Sequence, residues 1–178
     1  MTGGLARSGR VRCRAVALDF GGSLSAPVID HLLGEKPVDP DAARALHELH
    51  DLGLVLVLGS NTLPGERRWP ALQAAGVHRL FRAAILSYPL GVSKPDPLFY
   101  ELVATAAGCP PGQVLFAGDS FPNDVIGADH AGMRTALIRH GGLLRPGEDE
   151  RLPAATRIIS HVRELPALAG PALAGELT

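Results

Sequence analysis

The sequence predicts a three-layer α/β domain with a doubly wound, mainly parallel sheet. Short apolar runs alternate along the chain with stretches of helical periodicity, and this alternation favours a sheet whose faces are covered by helices. Several of the runs are almost continuously apolar, which is typical of strands buried on both faces. With 178 residues the chain is long enough to bury its own core without disulfides or a structural metal.

Six apolar runs are the predicted strands. The first, second and fourth are nearly continuous in apolar character, so they are expected to be buried on both faces. In chain order the runs are 15–20, 54–58, 83–86, 114–117, 135–138 and 157–159.

The helices between the strands have recognisable ends. Two Asp-Pro pairs, at 39–40 and 96–97, each place an N-cap residue before a proline at the first helical position. Apolar residues then recur at helical spacing until a glycine, Gly53 or Gly108, ends the helix. Two more helices are predicted, over about 123–131 and, interrupted by Pro70, over 67–75.

Composition limits the partners and the compartment. The net charge of −1 gives no electrostatic reason to expect nucleic acid or an anionic membrane as a partner. No apolar run approaches the roughly 20 residues that cross a bilayer. The two cysteines lack the spacing of a zinc site and indicate reduced thiols, so we expect a cytoplasmic protein.

The predicted domain occupies residues 15–165. Residues 1–14 contain four arginines and no long apolar run, and they are predicted to form a flexible basic arm. Residues 166–178 are rich in proline, glycine and alanine and are predicted to be a loose tail.

Four polar residues lie near the predicted carboxyl ends of strands. Asp19 ends the first strand, and Ser60 and Asp119 lie just past the second and fourth. Lys94 precedes the capped helix that follows the third. Because ligands of open α/β sheets bind at the carboxyl ends of the strands, we expect these four side chains to converge there.

The segments around these residues resemble the four motifs of the haloacid dehalogenase (HAD) superfamily, in order. The match extends over roughly residues 15–138 and implies an HAD-like, Rossmannoid fold and a hydrolase. The segments are Leu-Asp-Phe-Gly-Gly-Ser-Leu at 18–24, Leu-Gly-Ser-Asn at 58–61, Gly-Val-Ser-Lys-Pro-Asp-Pro at 91–97 and Phe-Ala-Gly-Asp-Ser-Phe-Pro-Asn-Asp at 116–124.

The resemblance implies a nucleophile and a metal site. Asp19 is then the nucleophile that forms an aspartyl-phosphate intermediate. Asp19 and Asp119, with the backbone carbonyl of Gly21, are the implied ligands of Mg²⁺, which prefers hard oxygen ligands. Asp124 is implied to act either as a ligand through water or as the partner of Lys94.

The resemblance also implies which groups handle charge and phosphate. Lys94 offsets the negative charge of Asp19 and of the transferred group, and Ser60 with nearby backbone N–H groups binds phosphate oxygens. The other residues implied at the phosphate are Asn61, Gly22 and Ser23.

One position departs from the pattern of the phosphatases. They carry a second aspartate two residues after the nucleophile, where this chain has Gly21. General acid–base catalysis of this kind contributes roughly 10²–10⁴ in rate. Three interpretations stay open: a weak or specialised Mg²⁺-dependent phosphatase, an inactive domain that binds a ligand or protein, and a dehalogenase-like enzyme.

The spacing of the motifs leaves no room for a sizeable cap domain. Too few residues separate Leu24 from Asp39, and the segment between Ser60 and Lys94 already holds a predicted helix and strand. This argues against a capped dehalogenase. The site is therefore expected to be open, which suits a large or carrier-bound phosphorylated substrate, or to be closed by a second subunit in a homodimer.

Overall fold

The computed structural model describes residues 12–169, which form one six-stranded sheet. The strand order is β3-β2-β1-β4-β5-β6, and all five neighbouring pairs are parallel. The predicted parallel sheet is confirmed, with each predicted strand present to within a few residues. The strands are β1 Ala15–Leu18, β2 Val55–Ser60, β3 Phe81–Leu86, β4 Val114–Gly118, β5 Arg134–Ile138 and β6 Arg157–Ile159.

Within residues 12–169, six α-helices connect or flank these strands. The two that begin at Asp-Pro are the longest, and each aspartate accepts hydrogen bonds from the first turn of its helix. The helices are α1 Pro40–Asp51, α2 Trp69–Ala74, α3 Ser87–Leu90, α4 Pro97–Ala107, α5 Ala128–His130 and α6 Leu165–Ala169. The predicted helix 123–131 is mostly a wide helical turn, Phe121–Gly127, and only its end is α-helical.

Apolar clusters cover both faces of the sheet and confirm the three layers. Along β1, Val16 and Leu18 belong to the cluster that includes α1, whereas Ala15 and Ala17 belong to the cluster that includes α4. Successive strand residues point to opposite faces, so this division is expected of a strand buried on both sides. Because both faces of the sheet are covered by apolar side chains, the polar groups of a site are expected at the carboxyl ends of the strands.

The two predicted domain boundaries differ from the structure. Cys13, assigned to the basic arm, is buried in the core, and Arg14 donates a backbone hydrogen bond to Gln113. Residues 166–169, assigned to the loose tail, belong to α6, whose Leu165 and Ala169 are buried. Residues 1–11 and 170–178 of these segments lie outside the described residues. None of the described helices has the length and apolar character needed to cross a membrane.

No cap domain interrupts the described fold. Between β1 and α1 the chain forms a wide turn, Phe20–Leu24, and then a short hairpin, here called the hairpin (residues 25–38). Its strands touch through two antiparallel bridges, Ser25 with Val38 and Asp30 with Glu35. Between β2 and β3 there are only α2 and one further helical turn, His78–Leu80. This confirms the prediction that a sizeable cap is lacking.

Candidate active site

Three of the predicted site residues meet because their strands are neighbours. Asp19 follows β1 and Asp119 follows β4, and these strands pair in register in the middle of the sheet. Ser60 ends β2, on the other side of β1. Since the strands are parallel, their carboxyl ends lie at one edge of the sheet. The backbone N–H of Asp19 donates to Ala117 at 3.0 Å, which ties its loop to the central strand β4.

Lys94 joins the carboxylates of this edge. Its ammonium group donates to Asp19 Oδ1 at 2.9 Å, to Asp124 Oδ1 at 2.7 Å and to the carbonyl oxygen of Gly59 at 2.9 Å. The side chain is only 2% exposed. An ammonium group has three N–H donors, so that of Lys94 is fully satisfied, as a buried cation must be.

The crowded charges shift pKa values in the site. Burial alone would lower the pKa of Lys94, but Asp124 and Asp19 outweigh burial and raise it. Burial raises the pKa of Asp124 to about 7 against the opposing effect of Lys94. Burial, and then the charge of Asp19, raises the pKa of Asp119. Three carboxylates therefore lie beside one ammonium group, which binds only Asp19 and Asp124, and a further cation would stabilise their ionised forms.

The same carboxylates have the arrangement of a metal site. One oxygen atom from each of Asp19, Asp119 and Asp124 lies within 4.8 Å of the others. Asp124 already uses both of its oxygens, one for Lys94 and one for the backbone N–H of Ser120 at 2.9 Å. Asp19 and Asp119 are therefore the better candidates for direct ligation, and their hard oxygens suit Mg²⁺.

The two glycines after Asp19 differ in what the fold requires of them. Gly22 has a φ of 69°, and a Cβ atom added to it would lie 2.4 Å from Asp119 Oδ2, so only glycine fits. Gly21 has ordinary angles, φ −69° and ψ 126°, and an added Cβ would meet nothing within 4 Å. The backbone would thus accept the aspartate that the phosphatase pattern has at position 21.

The predicted phosphate-binding side chains have different surroundings. Ser60 is buried, and its hydroxyl donates weakly to the carbonyl of Asn61 at 3.3 Å. The amide of Asn61 pairs instead with the backbone of Lys94, accepting from its N–H at 2.9 Å and donating to its carbonyl at 3.0 Å. Ser23 is buried with a hydroxyl that has no hydrogen-bond partner among the described residues. Asn61 is thus placed to hold the loop of Lys94 against the end of β2.

Arg139, which no sequence motif indicated, binds the backbone of Asp119. Its guanidinium group donates to the backbone carbonyl of Asp119 and pairs with Glu148. The Arg139 hydrogen bond lowers the pKa of Glu148, which also accepts from the backbone N–H of Arg145 at 2.8 Å. The position of Arg139 directly after a predicted strand was the signal that the sequence offered. Its partner Glu148 lies in a loop, and the hydrophobic periodicity of the sequence does not predict how that loop folds.

A second group that the sequence analysis missed lies beside Gly21. Arg68 has a φ of 63°, rare for a residue with a side chain. Its guanidinium group lies 4.8 Å from the ring centroid of Phe20 and 2.8 Å from Glu66 Oε2. A cavity of about 240 Å³ is bordered here by Phe20, Gly21, Ile29, Gly34, Glu35, Lys36, Glu66 and Arg68.

Comparison with known proteins extends the resemblance of the motifs. A model of the haloacid dehalogenase-like hydrolases matches residues 13–132. The chain is 31% identical over 133 residues to a glyceraldehyde 3-phosphate phosphatase of Methanopyrus kandleri, covering 71% of this chain and 57% of the relative. It is 34% identical over 117 residues to a phosphoserine phosphatase of Thermus thermophilus, covering 66% of this chain and 46% of the relative. The chain thus spans about half the length of these two curated relatives.

Solved structures share the fold. A HAD phosphatase from Thermococcus onnurineus superposes with a TM-score of 0.73 at 18% identity, covering 88% of this chain and 98% of that one. The L-2-haloacid dehalogenase from Xanthobacter autotrophicus superposes with a TM-score of 0.70 at 19% identity, covering 93% and 100%. Because both a phosphatase and a dehalogenase superpose, this likeness describes the architecture alone.

Proposed function

The chain belongs to the haloacid dehalogenase-like hydrolases, and from that premise we propose that it hydrolyses phosphoric monoesters in a Mg²⁺-dependent reaction with Asp19 as the nucleophile. The observation that carries the proposal is the buried Lys94 ammonium group, which bridges Asp19 and Asp124 beside the carboxylate of Asp119. The two phosphatases compared above support a phosphoester over a halide as the substrate.

The residues present fit a magnesium ion. Asp19, Asp119 and the backbone carbonyl of Gly21 would hold it, and Asp124 would act through Lys94. The ion would offset the charge of the carboxylates and of the phosphoryl group. Gly22 supports this assignment, because its lack of a side chain lets the turn after Asp19 approach Asp119 closely.

The protein's own groups supply the nucleophile, its positioning and part of the charge stabilisation. Lys94 holds Asp19 Oδ1, which leaves Oδ2 to form the new bond to phosphorus while the bond to the leaving oxygen breaks. The fixed ammonium group of Lys94 also opposes the negative charge that gathers around the phosphoryl group. Ser60 and neighbouring backbone N–H groups would bind phosphate oxygens. Water then hydrolyses the aspartyl-phosphate and returns Asp19.

The absence of a cap from the described residues leaves the substrate class broad. We propose a phosphorylated substrate that reaches the edge of the sheet directly, large or carrier-bound, or a smaller one enclosed by a second copy of the chain. Sedimentation analysis with and without substrate separates these two alternatives, because only the second requires a homodimer.

The test is phosphate release from a panel of phosphoesters with and without Mg²⁺. Asp19→Asn keeps the shape of the side chain and removes the nucleophile, so we expect activity to fall about a thousandfold or more. Asp96→Asn is the matched control, because Asp96 lies outside the site and asparagine is an equally good N-cap.

Other outcomes would identify the alternatives. Phosphate release that survives Asp19→Asn would contradict the proposed mechanism. Release of halide from haloacids in place of phosphate would indicate a dehalogenase. A wild type that binds phosphoesters but releases neither product would indicate a binding domain.

A further inference from the structure

The proposed reaction leaves one role unfilled, and the cavity beside Gly21 holds a candidate for it. A phosphatase without an acid/base group loses roughly 10²–10⁴ in rate. The cavity bordered by Gly21 also contains two carboxylates, those of Glu35 and Glu66. Neither belongs to the four motifs, and neither has a role in the reaction so far described.

Glu66 is already engaged. Its Oε2 accepts hydrogen bonds from the backbone N–H of Leu63 at 2.9 Å and from Arg68 at 2.8 Å. The side chain is 35% exposed, so water can complete its remaining hydrogen bonds. Glu66 is therefore part of an ordinary, partly exposed ion pair, and its hydrogen bonds give no indication of a ligand.

Glu35 has the opposite environment. It lies on the returning segment of the hairpin, where it forms an isolated bridge with Asp30, and its side chain is only 9% exposed. Its buried Oε2 has no hydrogen-bond partner among the described residues. The nearest cation is Arg68, whose Nη1 lies 3.7 Å away, beyond a normal hydrogen bond. A buried carboxylate oxygen without a partner is costly and calls for an explanation.

The space next to Gly21 gives Glu35 a possible task. An added Cβ on Gly21 would meet nothing within 4 Å, so the first atom of a side chain has room there. Glu35 borders the same cavity from the hairpin. A carboxyl group on the hairpin would then take the place of one on the turn after Asp19.

We propose that Glu35 is the acid/base of this enzyme and replaces the group that Gly21 lacks. The proposal depends on the proposed phosphatase function. Protonated Glu35 gives its proton to the leaving oxygen as the P–O bond breaks and Asp19 bonds to phosphorus. The Glu35 carboxylate then takes a proton from water as the water oxygen bonds to phosphorus and the bond to Asp19 breaks. The products are an alcohol and phosphate, and Glu35 returns to its protonated form.

Arg68 is the positioning residue in this scheme. It lies between Glu35 and Glu66, and its backbone adopts the left-handed region that side chains rarely adopt. Such conformations persist where the surroundings hold them and are concentrated at functional sites. Arg68 thereby keeps the Glu35 side chain in the cavity without forming a hydrogen bond to its free oxygen.

The first arm of the test is leaving-group dependence, with Glu35→Gln and Glu66→Gln as a matched pair. A poor leaving group, such as the alcohol of glycerol 2-phosphate, needs a proton, whereas 4-nitrophenolate leaves without one. We expect Glu35→Gln to lower kcat/KM on glycerol 2-phosphate by about a hundredfold or more, with a much smaller loss on 4-nitrophenyl phosphate, because kcat/KM reports the formation of the aspartyl-phosphate and not its hydrolysis. Glu66→Gln should affect both substrates equally and weakly.

The second arm is rescue from the other wall of the cavity. Gly21→Asp introduces a carboxyl group on a backbone that accepts it. We expect Gly21→Asp to restore much of the activity on glycerol 2-phosphate when it is introduced into Glu35→Gln. Introduced into the wild type, the same substitution should raise this activity far less. A merely structural Glu35 would not be rescued in this way, and thermal melting of each variant shows that it is folded.

The outcomes separate the inference from the proposed function. Equal losses of kcat/KM on both substrates, or a Gly21→Asp gain that is the same in both backgrounds, would overturn the role of Glu35, whereas the role of Asp19 would stand. If the Glu35→Gln protein does not fold, Glu35→Asp with the same two substrates replaces it. A wild type that releases no phosphate at all overturns both.

Discussion

At the scale of single residues, the two glycines at positions 21 and 22, shortly after Asp19, are subject to different structural requirements. Gly22 is required by its positive φ and by its contact with Asp119, so geometry alone explains it. Gly21 meets no such demand. If Glu35 is the acid/base, the enzyme needs no side chain at position 21. The Glu35 proposal therefore explains why a glycine occupies a position where the backbone would accept any residue.

The pair also gives a direct prediction about stability. We expect Gly22→Ala to lower the free energy of unfolding by about 1–3 kcal/mol, because a Cβ at positive φ is strained and would press on the Asp119 carboxylate. Gly21→Ala, the matched control, should be neutral or stabilise by about 0.4–1 kcal/mol, since its backbone accepts a side chain and alanine restricts the unfolded chain. Denaturant unfolding measures both; equal losses would contradict the prediction.

The residues of the site were predictable to different degrees. Asp19 and Asp119 could be located because each directly follows an apolar strand, and parallel strands bring such positions together. Glu35 and Arg68 could not, because their contact depends on how the hairpin folds back and on an unusual backbone angle. The residues next to Glu35 and Arg68 in the sequence form no motif, so no local pattern distinguishes these two side chains from charged residues exposed to solvent.

At the scale of elements, connections between loops determine where Lys94 lies. Asn61 follows β2, and its amide makes both of its hydrogen bonds to the backbone of Lys94, 33 residues further along the chain. A neighbouring bond, from the N–H of Thr62 to Ser87 at 2.9 Å, ties the same loop to the start of α3. The resemblance of the motifs implied Asn61 only at the phosphate, and that role stays a prediction; the contact with Lys94 could not be predicted, since a partner so distant in the chain leaves no local signal.

This arrangement predicts how Asn61→Ala alters kinetics. The loop of Lys94 loses two hydrogen bonds, so the ammonium group shifts from Asp19; we expect kcat to fall by about ten- to a hundredfold with little change in KM. Asn61→Asp keeps the acceptor for the Lys94 N–H and should lose less. A rise in KM at unchanged kcat would contradict this and favour direct contact of Asn61 with phosphate.

Elements with strong local signals were predicted, and those shaped by long-range contacts were not. The Asp-Pro starts of α1 and α4 are capped in the structure as the sequence indicated. The turn Phe121–Gly127 departs from a regular helix, and in it Asp124 bends back to the N–H of Ser120 while also binding Lys94. The short helix α6 forms from a segment of loose composition because Leu165 and Ala169 are buried against the core.

At the scale of the whole molecule, apolar clusters on both faces of the sheet leave the carboxyl edge to hold an excess of negative charge. The folded state keeps Asp119 and Asp124 with raised pKa values, whereas in the unfolded chain both return to the ordinary value near 3.8. The folded protein therefore binds more protons than the unfolded chain at intermediate pH. By proton linkage, the contribution of these groups to stability is present below pH 4 and is lost as pH rises toward about 7, the folded pKa of Asp124.

A metal ion should reverse this trend, and the reversal is measurable. Mg²⁺ binds the ionised carboxylates, so the Tm gained on adding Mg²⁺ should be larger at pH 8 than at pH 5. Asp119→Asn removes one of the crowded charges; in metal-free protein at pH 8 we expect it to raise Tm by roughly 2–4 °C, the equivalent of about 1 kcal/mol in a chain of this size. The same variant should lose most of the gain from Mg²⁺.

Asp149→Asn is the control for this experiment, because Asp149 is exposed and lies outside the cluster. Its Tm should depend on pH and Mg²⁺ as that of the wild type does. If Mg²⁺ raised the Tm of Asp119→Asn as much as that of the wild type, Asp119 would not be a ligand. If metal-free Asp119→Asn melted below the wild type at pH 8, the carboxylate would be stabilising the fold, and the excess of negative charge at this edge would have to be balanced by groups other than Lys94.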